Sequence, residues 1–458
     1  LGMLRYLVYV NSKKLNELIY TLLYFTASCL FKPSAVVFPL ALICIDIIKQ
    51  QKFEFKFILN KISFFAIAIL FGMLNLKTQA SAQFINYAHQ FPFQEKLINA
   101  GYALFNYLKV FLMPVHLSVI YPFPVTTSIT IIIGISVLCS FALIVYYLFK
   151  KKQFNYLAVI LFVLVNLVLV LQFIPFGEVL NADRYMYLPI VGLGWLLGLL
   201  ITKLNLKIPV VPAVLILVLG SLTFLRSSKW QSSSVLYEDI IKKYPNNYLA
   251  LNSLGVEYMF KNNNDKALMY FNKAINIAPY NYKGFYNRAL LYLKNNQPKA
   301  AIKDLNQVLN MYDYGKAYIA RASAFYAVLD YANARNDAKS ALLKDKNNHK
   351  AYFILGNCDN DQNDLQNAIS FYNRAIELNK EEPDYYFKRA IALGKQQKFN
   401  ECLNNLNFCI DLNPDYFEAY YWRGVAKVNL KLNPCDDFKT ALEGGNALAK
   451  DALEKYCN

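Results

Sequence analysis

Hydrophobic residues along this chain follow two rhythms. Up to about residue 230 they form long runs separated by short polar loops. Runs at 15–31, 34–48, 57–74, 127–149, 155–175, 186–203 and 208–225 approach the length of membrane-crossing helices, which need roughly 17–25 apolar residues. Residues 1–10 read as the tail of a further apolar run. From 231 onward the apolar positions are spaced for amphipathic helices on a polar background rich in Asn, Lys and Tyr. The pattern predicts an all-α chain in two domains: a polytopic membrane helical domain over 1–230 and a helical-repeat α-solenoid over 231–458.

Charge sharpens the first half. Residues 1–230 hold 19 Lys/Arg and 6 Asp/Glu, against 29 and 25 in the rest, so most of the net charge of +17 sits in the apolar half. Lys13 and Lys14, the trio Lys49, Lys52 and Lys56, the run Lys150–Lys152, and Lys203 with Lys207 all fall in alternate loops. Positive loops mark the cytoplasmic side. The basic balance is thus explained by topology, and no nucleic-acid partner is expected. The opposite side receives the Lys32 turn, the segment 75–126, the loop 176–185 and everything after 226. Within 75–126, residues 98–113 are amphipathic and end at Pro114, which predicts a helix lying along or re-entering the outer face. The chain opens at Leu1 inside an apolar stretch, so further spans are expected before it.

The second half repeats with a period near 34. The frame YLALNSLGVEYMFKNNNDKALMYFNKAINIAP (248–279) places Leu254 and Gly255 in a first helix and Ala267 and Ala274 in a second. It returns at Arg288/Ala289/Ala301, Arg321/Ala322/Ala334, Leu355/Gly356/Ala368, Arg389/Ala390 and Arg423/Gly424. Small residues stand where two helices cross closely. This resembles the tetratricopeptide pattern: six repeats, a half-repeat at 231–245 and a closing helix near 446–457. Stacked helix pairs create a concave face. The fifth position of each first helix is Asn252, Tyr286, Ile319, Phe353, Phe387 and Tyr421. These residues either form an aromatic ladder that grips an extended peptide or pack the repeats against each other.

Candidate chemistry is sparse. His89, His116 and His349 have no metal-ligand spacing, and no phosphate-cradling glycine loop occurs, so no metal and no cofactor is expected. The cysteines make no CxxC pair. Cys402 and Cys409 take small-residue packing positions, and pairing of Cys435 with Cys457 is left open by the sequence. A base acting on the outer face would be Glu95, Glu178 or Asp183, or would precede Leu1. Lys32 and Arg184 abut the outer ends of spans. Each fits either a lipid-phosphate contact or plain snorkelling toward headgroups.

LFKPSAVVFPLALICID, followed by a basic loop, NADRYMYLPIVGLGW and outer-side repeats, resembles the transmembrane-and-TPR-containing proteins and their bacterial relatives. Lys32, Asp46, Asp183, Arg184, Tyr187, Pro189 and Gly192 carry the resemblance. It implies a multi-span glycosyltransferase that moves a sugar, typically mannose, from a polyprenyl-phosphate carrier to an acceptor protein on the non-cytoplasmic face. In a bacterium that face is the periplasmic side of the inner membrane. The resemblance also implies a catalytic acid in a first outer loop, which would precede Leu1. The alternative is a membrane-anchored repeat scaffold without enzymatic activity.

Overall fold

The computed structural model describes residues 1–50, 52, 54–81, 92–115, 117–124, 126–171, 179–203 and 210–457. The described residues are helical with short connections, and they divide into two compact units, Leu1–Leu249 and Ala250–Asn458.

The first unit contains α1 (Gly2–Ser12), α2 (Leu15–Phe31), α3 (Phe38–Gln50), α4 (Lys56–Leu59), α5 (Ile62–Ser81), α6 (Phe93–Leu112), α7 (Ser128–Lys150), α8 (Phe154–Leu167), α9 (Pro189–Lys203), α10 (Val210–Ser227) and α11 (Ser233–Lys243). In its described residues, every expected span overlaps one or two of these helices. Among the described residues only α7, 23 residues with mean hydropathy 2.6 over its most apolar stretch, is long and apolar enough to cross a membrane. At 1.5 Å per residue it is about 34 Å long. The run at 34–48 is shortened by a 3-10 turn over Pro33–Val37, where proline restricts its predecessor to extended backbone. The run at 57–74 is broken between α4 and α5, next to Lys61, and α8 stops after 14 residues at a 3-10 turn over Val168–Val170. Where seven spans are expected, the described residues thus hold one helix of spanning length and several shorter apolar helices.

Two contacts define this unit. Lys61 and Asp46 form an ion pair, with side chains 1% and 7% exposed. The Tyr6 hydroxyl reaches Asp46 Oδ1 and Oδ2 at 2.8 and 2.9 Å, and Lys61 Nζ also donates to Phe57 O at 3.0 Å. The cluster ties α1, α3 and the turn ahead of α5 beside a core of Phe25, Leu42 and Phe64. The second contact is a crossing of α6 over α7 at glycines. A Cβ on Gly101 would lie 2.1 Å from Gly134 O, and one on Gly134 would lie 2.6 Å from Ile98 O. Ala100, Ala103, Leu104 and Tyr107 are buried. Residues 98–113 thus form a helix with one face packed in the unit's core; this packing does not test the expectation that it lies along or re-enters an outer membrane face. Small residues on that face let it pack backbone to backbone on α7.

The boundary also moves, from 230 to 249. Helix α11 has repeat-like composition but is fastened to the first unit. Asp239 Oδ2 accepts from Arg226 at 2.5 Å and from Lys243 at 2.7 Å, and Lys243 Nζ donates to Leu117 O at 2.7 Å. Burial alone would raise the Asp239 pKa; the two cations more than reverse this and hold it below the ordinary carboxylate value.

The second unit is six helix pairs and a closing helix: α12 (Tyr248–Phe260) with α13 (Asn264–Ile277), α14 (Tyr282–Lys294) with α15 (Pro298–Met311), α16 (Gly315–Ala327) with α17 (Tyr331–Lys344), α18 (His349–Asp361) with α19 (Leu365–Leu378), α20 (Pro383–Lys395) with α21 (Phe399–Leu412), α22 (Phe417–Asn429) with α23 (Cys435–Glu443), then α24 (Leu448–Tyr456). The turn inside each pair carries a left-handed residue: Asn262, Asn296, Leu329, Asn363, Gln397 and Lys431. Their spacing is the sequence period made visible, and asparagine at three of them fits its tolerance of this region.

Helix pairs fit by size. Gly255, Gly356 and Gly424 face the rings of Phe271, Tyr372 and Phe438, each within 2.4–2.6 Å of where a Cβ would stand. An arginine ladder then links successive pairs. Arg288 forks onto Asp304 at 2.7 Å and reaches back to Asn272; Arg321 does the same with Asp337 and Asn306. Arg389 uses Asn405 and Asn373, and Arg423 uses Asp437 and Asn407. We expect Arg321→Leu to lower stability by about 2–3 kcal/mol, because it leaves the Asp337 carboxylate, 7% exposed, without its cation. Urea unfolding of the repeat unit's helical signal measures this.

Cys435 and Cys457 form a disulfide that closes α24 onto α23. With the bridged positions 22 apart in sequence, its loss should cost about 3 kcal/mol in the chain-entropy account. Cys435→Ser should free α24 first, seen as proteolytic cleavage near Gly444–Gly445 before the remaining repeats are cut. Cys402 and Cys409 are buried among the repeats, as their packing positions imply.

Candidate functional site

The first helices of neighbouring repeats pack on each other directly (α14 on α16, α16 on α18, α18 on α20, α20 on α22). They therefore line one continuous face of the solenoid, the inner face of such a stack. This face is the candidate functional site of the second unit.

The fifth-position residues occupy it unequally. Asn252 is half-buried and accepts from Asn287 at 3.1 Å across the repeat boundary. Tyr286 is half-buried and meets Tyr314 edge-on at 5.1 Å; Tyr282 and Tyr312 complete a cluster of four tyrosines. Burial, and then the nearby Tyr314, push the Tyr286 phenol up to about 12, so it remains a neutral donor at pH 7. Ile319 is half-buried. Phe353 is half-buried and packs on Tyr385 at 4.6 Å. Tyr421 is half-buried beside Trp422. Phe387 departs from the expectation: it is 2% exposed and packs against Tyr416, ring centroids 5.0 Å apart and tilted. It packs the repeats and is withdrawn from the ladder.

Polar groups on the same helices were not legible as a set in the sequence. His349 Nδ1 lies 2.6 Å from Tyr385 Oη, and Tyr416 donates to Asp384 at 2.8 Å. Burial, then the adjacent Lys350 cation, hold the His349 imidazole below its ordinary pKa, so it is neutral at pH 7. The second-position residues change sign along the stack, from Lys283, Lys316 and Lys350 to Asp384 and Glu418. The only available signal was this single change of sign at the repeat period.

Of the first-unit residues proposed for chemistry, the side chains of Lys32 and Glu95 are described, and these two do not share a cavity. Lys32 ends α2 and lines an open, largely apolar cavity of about 550 Å³ with Tyr24, Phe31, Phe38, Asn166 and Leu188. Leu188 follows the 3-10 turn Asp183–Met186. That turn is positioned by an antiparallel bridge between Tyr121 and Asn181, with Leu180, Asn181 and Ala182 at most 1% exposed. The side chains of Asp183 and Arg184 lie outside the described residues, as do Glu178, His89 and His116. Glu95 sits in the first turn of α6 and does not line the Lys32 cavity. No cluster of metal-ligating residues occurs among the described residues.

Six stacked helix pairs with glycine–aromatic crossings define an α-solenoid of short helical repeats. Tetratricopeptide-repeat family models match residues 248–281, 270–303 and 319–383, so the chain carries tetratricopeptide repeats. Comparison with curated proteins gives no match. Among solved structures, a tetratricopeptide repeat protein from Parabacteroides merdae is 19% identical, over 53% of this chain and 98% of its own, with TM-score 0.42. A chain of the APC/C hetero-tetramer Cut9–Hcn1 is 15% identical over 49% of this chain, with TM-score 0.46; the match spans 46% of that chain. YrrB, described as a TPR protein with an unusual peptide-binding site, is 16% identical over 41% of this chain and 97% of its own, with TM-score 0.34.

Proposed function

We propose that the protein is a membrane-anchored scaffold whose repeat unit binds an extended segment of a partner protein along the face of its first helices. The observation that carries this reading is the set of half-buried aromatic residues Tyr286, Phe353 and Tyr421, which share one register on alternate members (α14, α18 and α22) of a directly packed series of first helices. Aromatic rings offer a large contact area at low entropic cost, and they dominate binding hot spots. The membrane part of the proposal rests on α7, which is apolar and only 11% buried over its most apolar stretch, and on the alternation of lysine-rich loops. With the shorter apolar helices taken as spans as well and the lysine-rich loops on the cytoplasmic side, the repeats would lie on the non-cytoplasmic side, the periplasm in a bacterium. The Cys435–Cys457 disulfide supports an oxidising compartment.

The test is quantitative co-purification of a cross-linked partner with the full chain. Tyr286→Ser combined with Tyr421→Ser is expected to reduce recovery at least tenfold, while Leu343→Ser, 84% exposed on α17, leaves it unchanged. Equal loss with both variants would refute the face assignment.

One observation favours a second reading, sugar transfer from a polyprenyl-phosphate carrier to the captured partner. Lys32 stands at an apolar cavity that also includes Leu188, close in sequence to Arg184. A cation beside an apolar cavity suits a lipid-linked phosphate. Lys32→Ala and Arg184→Ala would each abolish transfer of radiolabelled sugar from such a carrier if this reading holds. Undiminished transfer would leave both residues as headgroup anchors.

A further inference from the structure

The repeats differ at one point on the first-helix face. Three residues before the left-handed turn, five repeats place Met259, Leu293, Tyr326, Asn360 and Val428, whereas the fifth repeat places Gly394. A Cβ at Gly394 would meet only Cys402 Sγ, at an ordinary 3.6 Å. The glycine is therefore not required by a close helix crossing, unlike Gly255, Gly356 and Gly424. Its missing side chain instead opens a socket of about 260 Å³ among α20, α21 and α22, walled by Ile391, Phe399, Cys402, Trp422 and Val425. For scale, an apolar cavity of about 150 Å³ accepts benzene. Lys395 stands at its rim and is exposed; Nζ meets only the neutral Asn360 O and Oδ1, at 3.3 and 3.2 Å. Among the described ion pairs none includes Lys395.

We infer that this socket is the anchor point of the bound segment: it takes one large apolar side chain, aromatic or long aliphatic, from a partner peptide that carries an acidic residue next to that anchor. The inference rests on the partner-binding reading and gives it a specificity. The socket holds a single ring-sized group, and Lys395 supplies the charge that selects the neighbour. A carboxylate exchanges two long contacts with neutral oxygens for one charge-assisted hydrogen bond.

The probe is three pools of extended dodecapeptides with randomised flanks around a fixed core: Phe-Asp, Ala-Asp or Phe-Lys. Retention is measured on the immobilised full chain. The Phe-Asp pool is expected to be retained at least tenfold better than Ala-Asp, and better than Phe-Lys. Gly394→Leu fills the socket and should erase the Phe preference. Because leucine favours a helix interior over glycine, thermal unfolding should show this variant no less stable than the parent. Lys395→Glu should reverse the preference between Phe-Asp and Phe-Lys while keeping that for Phe over Ala. A Phe preference that survives Gly394→Leu, or no Phe preference in the parent chain, overturns the socket. The wider groove reading is judged separately, by the Tyr286→Ser and Tyr421→Ser variant and its partner; loss of partner there without any Phe preference leaves the groove and removes the socket.

Discussion

Gly101→Leu is expected to disrupt the first unit. The substituted Cβ would stand 2.1 Å from the backbone oxygen of Gly134. Backbone cannot rotate away as a flexible side chain does, so α6 must lift off α7. That movement exposes Leu104 and Tyr107, now at most 3% exposed. Overpacking commonly costs about 1–3 kcal/mol, and a backbone–backbone clash belongs at or above the upper end. Even Gly101→Ala should be harmful, because the clash is with the Cβ itself. Trp195 and Trp230 both lie in this unit. In a Trp422→Phe background their fluorescence isolates its unfolding from that of the repeats. A markedly lower midpoint for the tryptophan signal, with the repeat unit's unfolding unchanged, is the expected result. An unchanged tryptophan midpoint would show that the crossing is not as close as described.

Lys61→Met is the second large effect. It leaves Asp46, 7% exposed, with the Tyr6 hydroxyl as its remaining partner among the contacts described. Breaking a buried pair from one side costs about 3–5 kcal/mol, whereas replacing both charges by neutral groups can cost little. The double variant Lys61→Met with Asp46→Asn should therefore recover much of the loss caused by Lys61→Met alone. The same tryptophan-monitored unfolding measures the cycle. Simple addition of the two single effects would mean that the pair contributes no coupling.

The repeat unit was largely legible in the sequence because its determinants are local and recur. A small residue in one helix meets a ring sixteen positions later at Gly255 and Gly356 and fourteen later at Gly424, and a left-handed turn residue recurs about every 34 positions in all six pairs. Arg288, Arg321, Arg389 and Arg423 stood out by period, although their acceptors Asp304, Asp337, Asn405 and Asp437 emerged only from geometry. Phe387 shows where the period misleads. It shares a register with Tyr286 and Phe353, but Tyr416 covers it, and no pattern reports what a neighbouring repeat will place on top. The first unit was less legible because its determinants are distant in sequence. Nothing around Gly101 points to Gly134, and Lys61 was lost within an apolar run although it pairs with Asp46. Helix α11 has the composition of a repeat, yet Arg226 and Leu117 hold it elsewhere. For the outer cavity, the sequence supplied Lys32 but not its neighbours Asn166 and Leu188.

The central claim is that the first-helix face of the repeats receives a partner protein. A photoreactive phenylalanine analogue placed in turn at Tyr286, Phe353, Tyr421 and Leu343 of the full chain tests it most directly, in the membrane fraction of cells that make the protein. The account predicts that the three first-helix positions cross-link the same partner protein through one extended segment of it, and that Leu343 on α17 does not. Cross-links from Leu343 with none from Tyr286, Phe353 or Tyr421 would contradict it.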